Sequence, residues 1–110
     1  MSVRLASSGS YLLRTTIAAS ADPTGTAVEY AVTTAANEPA PADAAWTAGT
    51  WESYNAGTDK AICLSPRLGS LTADPAADIE LTEGVFYHLW VRWSTGVENP
   101  VDLAETLDVY

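Results

Sequence analysis

One stretch constrains this chain more than any other: Val85-Phe86-Tyr87-His88-Leu89-Trp90-Val91-Arg92-Trp93. It is the most apolar and aromatic run in the sequence, and it alternates. Aromatic and β-branched residues at period two mark a strand. Tyr87, Leu89, Val91 and Trp93 fall on one side, which is wholly apolar and is expected to face the core of a central strand. Phe86, His88, Trp90 and Arg92 fall on the other. That side is too aromatic to be left to water without a reason, so a loop or a partner is expected to cover it.

The same period recurs along the chain. Residues 11–19 read as a strand with Tyr11, Leu13, Thr15 and Ile17 on one face. Residues 27–34 read as a second, with Val28, Tyr30 and Val32 inward and Glu29, Ala31 and Thr33 outward. Between them Asp22-Pro23-Thr24-Gly25 signals a turn. Residues 35–45 are rich in alanine, but Pro39 and Pro41 oppose a helix, which leaves an extended loop. Residues 46–53 read as a strand with a bulge near Gly49, which would bring Trp46 and Trp51 to one face. A turn at 54–59 leads to a strand at 60–65, apolar on both sides and so suited to a central position. Residues 67–78 read as a long loop, in which Asp74 could cap one helical turn behind Pro75. A short strand follows at 79–81. After the central strand and a loop at 94–100, residues 101–109 alternate again and are expected to pair with the central strand as a hairpin.

Seven to eight strands separated by turn signals, with no long helix, predict an all-β chain: an antiparallel immunoglobulin-like β-sandwich. Residues 1–10 are expected to be an N-terminal arm or edge strand, and 11–110 a single sandwich domain. In immunoglobulin-type folds a tyrosine early in the penultimate strand bonds back to the corner before it. Glu83-Gly84 ahead of Tyr87 fits that corner, with a spacing one residue longer than the common pattern.

The chain has 110 residues, one cysteine and a net charge of −9. That length suits one domain. With Cys63 alone, no internal disulfide can form, and a single thiol with a single histidine does not make a Cys/His zinc site. The acidic balance opposes binding to nucleic acid or to an anionic membrane, since no cationic patch is present to displace counterions. No apolar run is long enough to span a bilayer. The first ten residues do not read as a signal peptide, so synthesis in the cytoplasm is expected.

No catalytic set emerges. A nucleophilic site needs a nucleophile, a base and an orienting group. His88, the only histidine, sits mid-strand among aromatics and reads as structural. Cys63 lies in an apolar strand and reads as an inert thiol. The carboxylate pairs Asp78 with Glu80, Glu80 with Glu83, and Asp102 with Asp108 are the spacings that fourteen acids in 110 residues produce by chance, and none matches a calcium loop. No cofactor and no metal are expected. The aromatics are the remaining signal, because aromatic residues and arginine are enriched where proteins meet. Trp46, Trp51 and Tyr54 near one turn, and Phe86, Trp90 and Arg92 on the central strand, are the candidate partner interface. The first three could instead form a sugar platform.

The order and spacing of several short patterns resemble the small immunoglobulin-like structural proteins of tailed phages that infect actinobacteria. These are Asp22-Pro23-Thr24-Gly25-Thr26-Ala27-Val28-Glu29-Tyr30-Ala31-Val32, Trp46-Thr47-Ala48-Gly49-Thr50-Trp51-Glu52, Ala61-Ile62-Cys63-Leu64-Ser65-Pro66, Tyr87-His88-Leu89-Trp90-Val91-Arg92 and Glu98-Asn99-Pro100-Val101. The resemblance spans most of residues 20–110. It implies a virion component that is not an enzyme: a capsid decoration protein that binds and stabilises the assembled head. Its partners would be the major capsid protein or other virion subunits, and it would form a homo-oligomer on the particle. A head–tail connector, neck or tail component, or a carbohydrate-binding β-sandwich, are the alternatives.

Overall fold

Phe86–Trp93 forms the strand that its alternation predicts, in the middle of the largest sheet. The computed structural model describes residues 2–34, 46–71, 75–94 and 100–110, and the readings made above for 35–45, Asp74 and 95–99 lie outside them. The strands are β1 (Ser2–Leu5), β2 (Ser10–Tyr11), β3 (Arg14–Ala18), β4 (Val28–Thr33), β5 (Thr47–Ala48), β6 (Thr50–Asn55), β7 (Lys60–Leu64), β8 (Leu68–Gly69), β9 (Ile79–Glu80), β10 (Phe86–Trp93) and β11 (Val101–Val109). No helix occurs among the described residues.

The fold is all-β and sandwich-like. A five-stranded sheet in the order β1-β11-β10-β4-β5 faces a three-stranded sheet, β3-β7-β6, and a second small sheet joins β2-β8-β9. The sheets are mixed, not antiparallel throughout. β10 runs antiparallel to both neighbours, but β1 lies parallel to β11, with Ser2 opposite Thr106 and Leu5 opposite Val109, and β8 lies parallel to β9. Residues 2–5 are therefore an edge strand. Leu5 is buried, and Arg4 pairs with Asp108 and stacks on Tyr110.

Alternation builds the core. Val28 and Tyr30 of β4, Tyr87, Leu89, Val91 and Trp93 of β10, and Leu107 and Val109 of β11 turn inward to meet Ile17 of β3 and Cys63 of β7. Removing each large apolar side chain from water contributes about 1.5–3 kcal/mol. Across the middle, the Tyr30 hydroxyl donates to Thr15 Oγ1 at 2.9 Å and lies 2.9 Å from Cys63 Sγ. Tyr30 thus bridges the two sheets where no disulfide is possible. Burial pushes the pKa of both Tyr30 and Cys63 up, so both stay protonated.

Two glycines decide the chain path. At Gly49 the chain leaves one sheet for the other: β5 pairs with β4, and β6 pairs with β7. A Cβ at Gly49 would sit 2.6 Å from the Leu64 carbonyl oxygen and 2.8 Å from the Tyr30 ring, so no side chain fits. The bulge expected near Gly49 falls instead between Trp51 and Ser53. At Gly84 the backbone takes φ +80, which glycine adopts without strain. The turn there aims Tyr87 back, and its hydroxyl accepts from the Thr82 N–H at 2.8 Å.

The strand expected over 11–19 is split. Leu13 leaves the ladder to bond Ser65, its N–H donating to Ser65 Oγ at 2.9 Å, and the chain passes from the β2 sheet to the β3 sheet. Inside the long loop expected at 67–78, β8 pairs with both β2 and β9.

Candidate functional site

The side of the five-stranded sheet turned away from the core carries the most unusual surface among the described residues. On β10 it presents Phe86, His88, Trp90 and Arg92. By register it adds Glu29, Ala31 and Thr33 from β4, and Val101, Leu103, Thr106 and Asp108 from β11. Phe86 is 43% exposed, Leu103 48% and Val101 39%.

The presence of Val101 and Leu103 on this side follows from a bulge. Leu89 is opposite Glu105 but Trp90 is opposite Leu103, so Ala104 is the extra residue. Beyond it the alternation of β11 inverts. Leu103 and Val101 swing out beside Trp90 and Arg92, and Asp102 takes the inner register opposite Val91. β1 covers β11 only from Thr106 onward, so residues 101–105 are an open edge among the described strands. The bulge and the inward Asp102 discourage another strand from adding there.

Several polar groups on this face pair with one another. The Arg92 guanidinium lies 2.9 Å from Glu29 Oε1 and 4.5 Å above the Trp46 ring. Arg4 lies 3.6 Å from Asp108 and 4.5 Å above the Tyr110 ring. Trp90 Nε1 donates to Thr33 Oγ1 at 2.8 Å. At the centre His88 is only 6% exposed, meets the Phe86 ring edge-on at 5.6 Å, and leaves Nδ1 without a hydrogen-bond partner.

The six aromatic and arginine candidates therefore divide. Phe86, Trp90, Arg92 and, through its stack with Arg92, Trp46 share the outer face. Trp51 and Tyr54 stand opposite the buried Cys63 and Ala61, on the inner side of the three-stranded sheet. There Trp51 Nε1 donates to the Thr26 carbonyl at 2.7 Å, and the Tyr54 hydroxyl donates to the Ala19 carbonyl at 3.2 Å. They pin the connection between β3 and β4, and they do not form one platform with Trp46. Leu103 and Val101 were not singled out from the sequence. The signal that could have found them is Glu105, an acid interrupting the apolar series Val101, Leu103, Leu107, Val109.

Elsewhere a cleft of about 280 Å³ opens beside Trp93, Pro23 and Pro100. Among the described residues its one acid is Asp22, which accepts from both the hydroxyl and the N–H of Thr24, and these bonds lower its pKa. Among the described residues no three His, Cys, Asp or Glu side chains gather as metal ligands would. Cys63 is fully buried. Compared with known proteins, the chain matches no family model, no curated protein and no solved structure.

Proposed function

We propose that this chain is a non-enzymatic structural protein of a tailed-phage virion, an immunoglobulin-like sandwich that decorates the capsid and stabilises the assembled head. The observation that carries the reading is the outer face of the five-stranded sheet. It exposes Phe86, Leu103 and Val101 around a half-buried Trp90, and its arginines are already stacked and paired. Aromatic residues and arginine with few unpaired charges are what a protein–protein contact requires at its centre. The immunoglobulin-like assignment is supported by the order β1-β11-β10-β4-β5 against β3-β7-β6, and by the Tyr87 hydroxyl bonded back to the corner at Thr82. The resemblance of several short sequence patterns to small virion proteins of actinobacterial phages is what supports the virion as the place of work.

The mechanism is mass action. A domain that binds the assembled shell and not its dispersed subunits shifts the equilibrium toward the shell. Its partners are the major capsid protein or neighbouring subunits of the particle. Quantitative mass spectrometry of purified particles tests the reading. Hundreds of copies per particle are expected for decoration, whereas about six to twelve, as ring symmetry gives, would place the chain in the neck or tail. Absence from the particle would overturn the reading.

A further inference from the structure

The geometry points to a second binding site: the free edge of β3 accepts an extended segment of a partner protein, one that carries a small aliphatic side chain with lysine or arginine two residues away. The site lies on other strands than the outer face, so it adds to the reading above and does not depend on it.

Backbone pairing leaves the edge open. The Leu13 carbonyl accepts from the Ser65 N–H and the Ala19 N–H donates to the Asp59 carbonyl, both at 2.8 Å, so the odd-numbered residues from 13 to 19 turn their backbone groups to β7. In an antiparallel ladder the alternate residues turn the other way. The N–H and C=O groups of Arg14, Thr16 and Ala18 therefore line the opposite edge, where no described strand pairs with β3. β3 keeps one register with β7 from Arg14–Leu64 to Ala18–Lys60. The edges of β6 and β11 are broken, by the bulge between Trp51 and Ser53 and by the one at Ala104. Bulges and prolines close an edge to other strands, and β3 has neither.

The surroundings of the edge set what an added strand must carry. A cavity of about 90 Å³ opens beside it, walled by Leu13 and Thr15 on the near side and by Val3, Leu89, Ala104 and Glu105 of the facing sheet. A cavity of about 150 Å³ holds benzene, so this one takes a single branched aliphatic side chain. Alternate side chains of a strand point the same way, and the next ones along meet two carboxylates. Glu105, opposite Leu89, and Asp102, opposite Val91, both lie on the inner side of β11, and Asp102 is exposed there. Among the described residues no arginine or lysine pairs with either. Arg14, which also borders the cavity, is held by Glu52 at 2.7 Å. Main-chain bonds to the edge supply affinity, and the cavity and carboxylates select the sequence. A second copy of this chain fits poorly, because the side chains that its own β3 turns inward, Thr15 and Ile17, include no cation.

The probe is the capped hexapeptide acetyl-Lys-Thr-Val-Thr-Lys-Thr-amide, which puts lysine, valine and lysine on one side. NMR titration of the full chain in about 0.05 M salt should give a Kd below about 1 mM. In the free chain the amides of Arg14, Thr16 and Ala18 should exchange faster than those of Thr15 and Ile17, and the peptide should protect them. Thr16→Pro removes an edge donor and no bond to β7, where proline is tolerated; it should weaken binding at least about 10-fold. Glutamate in place of both probe lysines should also weaken it about 10-fold, Glu105→Gln about 3-fold, and about 1 M salt in the same direction. N-methylation of the probe at alternate residues tests the edge whatever Thr16→Pro does to folding: one phase should abolish binding and the other spare it. No binding at about 5 mM peptide, binding that protects none of the three amides, equal binding of the lysine and glutamate probes, equal loss in both methylation phases, or a free chain already dimerised through β3 would each overturn the proposal.

Discussion

The two sides of the five-stranded sheet use the same kinds of residue for opposite ends. On the inner side Tyr30 spends its hydroxyl on Thr15 and Cys63 and bridges to the facing sheet, with no part of it exposed. On the outer side Phe86 and Leu103 remain nearly half exposed, and the arginines are stacked on Trp46 and Tyr110. An aromatic is not informative by its presence. What it does is decided by how far the rest of the chain covers it. By that measure Trp51 and Tyr54 belong with Tyr30, while Phe86 belongs with Leu103.

Substitutions can break this division. The largest effect is expected at Tyr30. Tyr30→Ala opens a cavity between the sheets and should cost about 3–5 kcal/mol in urea unfolding. Tyr30→Phe, which removes only the bridge, should cost about 1 kcal/mol. The same cluster sets an alkaline limit. Burial raises the folded pKa of Cys63 and Tyr30 above the unfolded values, so their contribution is full at neutral pH. It falls as pH rises through the ordinary thiol and phenol values, about 8.5 and 10. Melting temperature measured from pH 7 to 11 should therefore hold near pH 7, begin to decline at about pH 8.5 and fall further above about 10.

Next comes Leu103→Glu, which should lower occupancy of the particle with a stability change under about 1 kcal/mol, because the side chain is about half exposed. A severe loss of stability would mean that the outer face belongs to the fold and not to a contact. Trp51→Phe sharpens the division from the other side. Losing the bond to the Thr26 carbonyl should cost about 1–2 kcal/mol in thermal or urea unfolding and leave particle occupancy unchanged. The smallest effect is expected at His88. Its Nδ1 is buried without a partner, so His88→Leu removes an unsatisfied group and should be neutral or stabilising by about 0.5–1 kcal/mol in the same measurement.

Much of this was legible in the sequence, for a physical reason. β4 and β10 are long enough for period-two alternation to sort their faces, so Phe86, Trp90 and Arg92 were placed on the outer side, but Ala31, read as facing out, is only 1% exposed. The failures fall where pairing is not local. Nothing within Ser2–Leu5 says that it will run parallel to residues a hundred positions away. β2, β8 and β9 are two residues each, too short to show a period. The switch at Gly49 was seen as a disturbance but read as a bulge, because a glycine that admits a bulge also admits a change of sheet. The inversion at Ala104 moved Val101 and Leu103 to the outer face, and only the misplaced acid at Glu105 hinted at it.

The parallel placement of β1 against β11 also bears on how the molecule carries load. β1 begins near one end of the described chain and β11 finishes near the other, side by side and pointing the same way. A pull on Ser2 and Tyr110 in opposite directions therefore slides the two strands along each other. The four residue pairs from Ser2–Thr106 to Leu5–Val109 then share the force in shear, instead of opening one after another as a zipper would. A domain built this way yields late and all at once when pulled by its two ends.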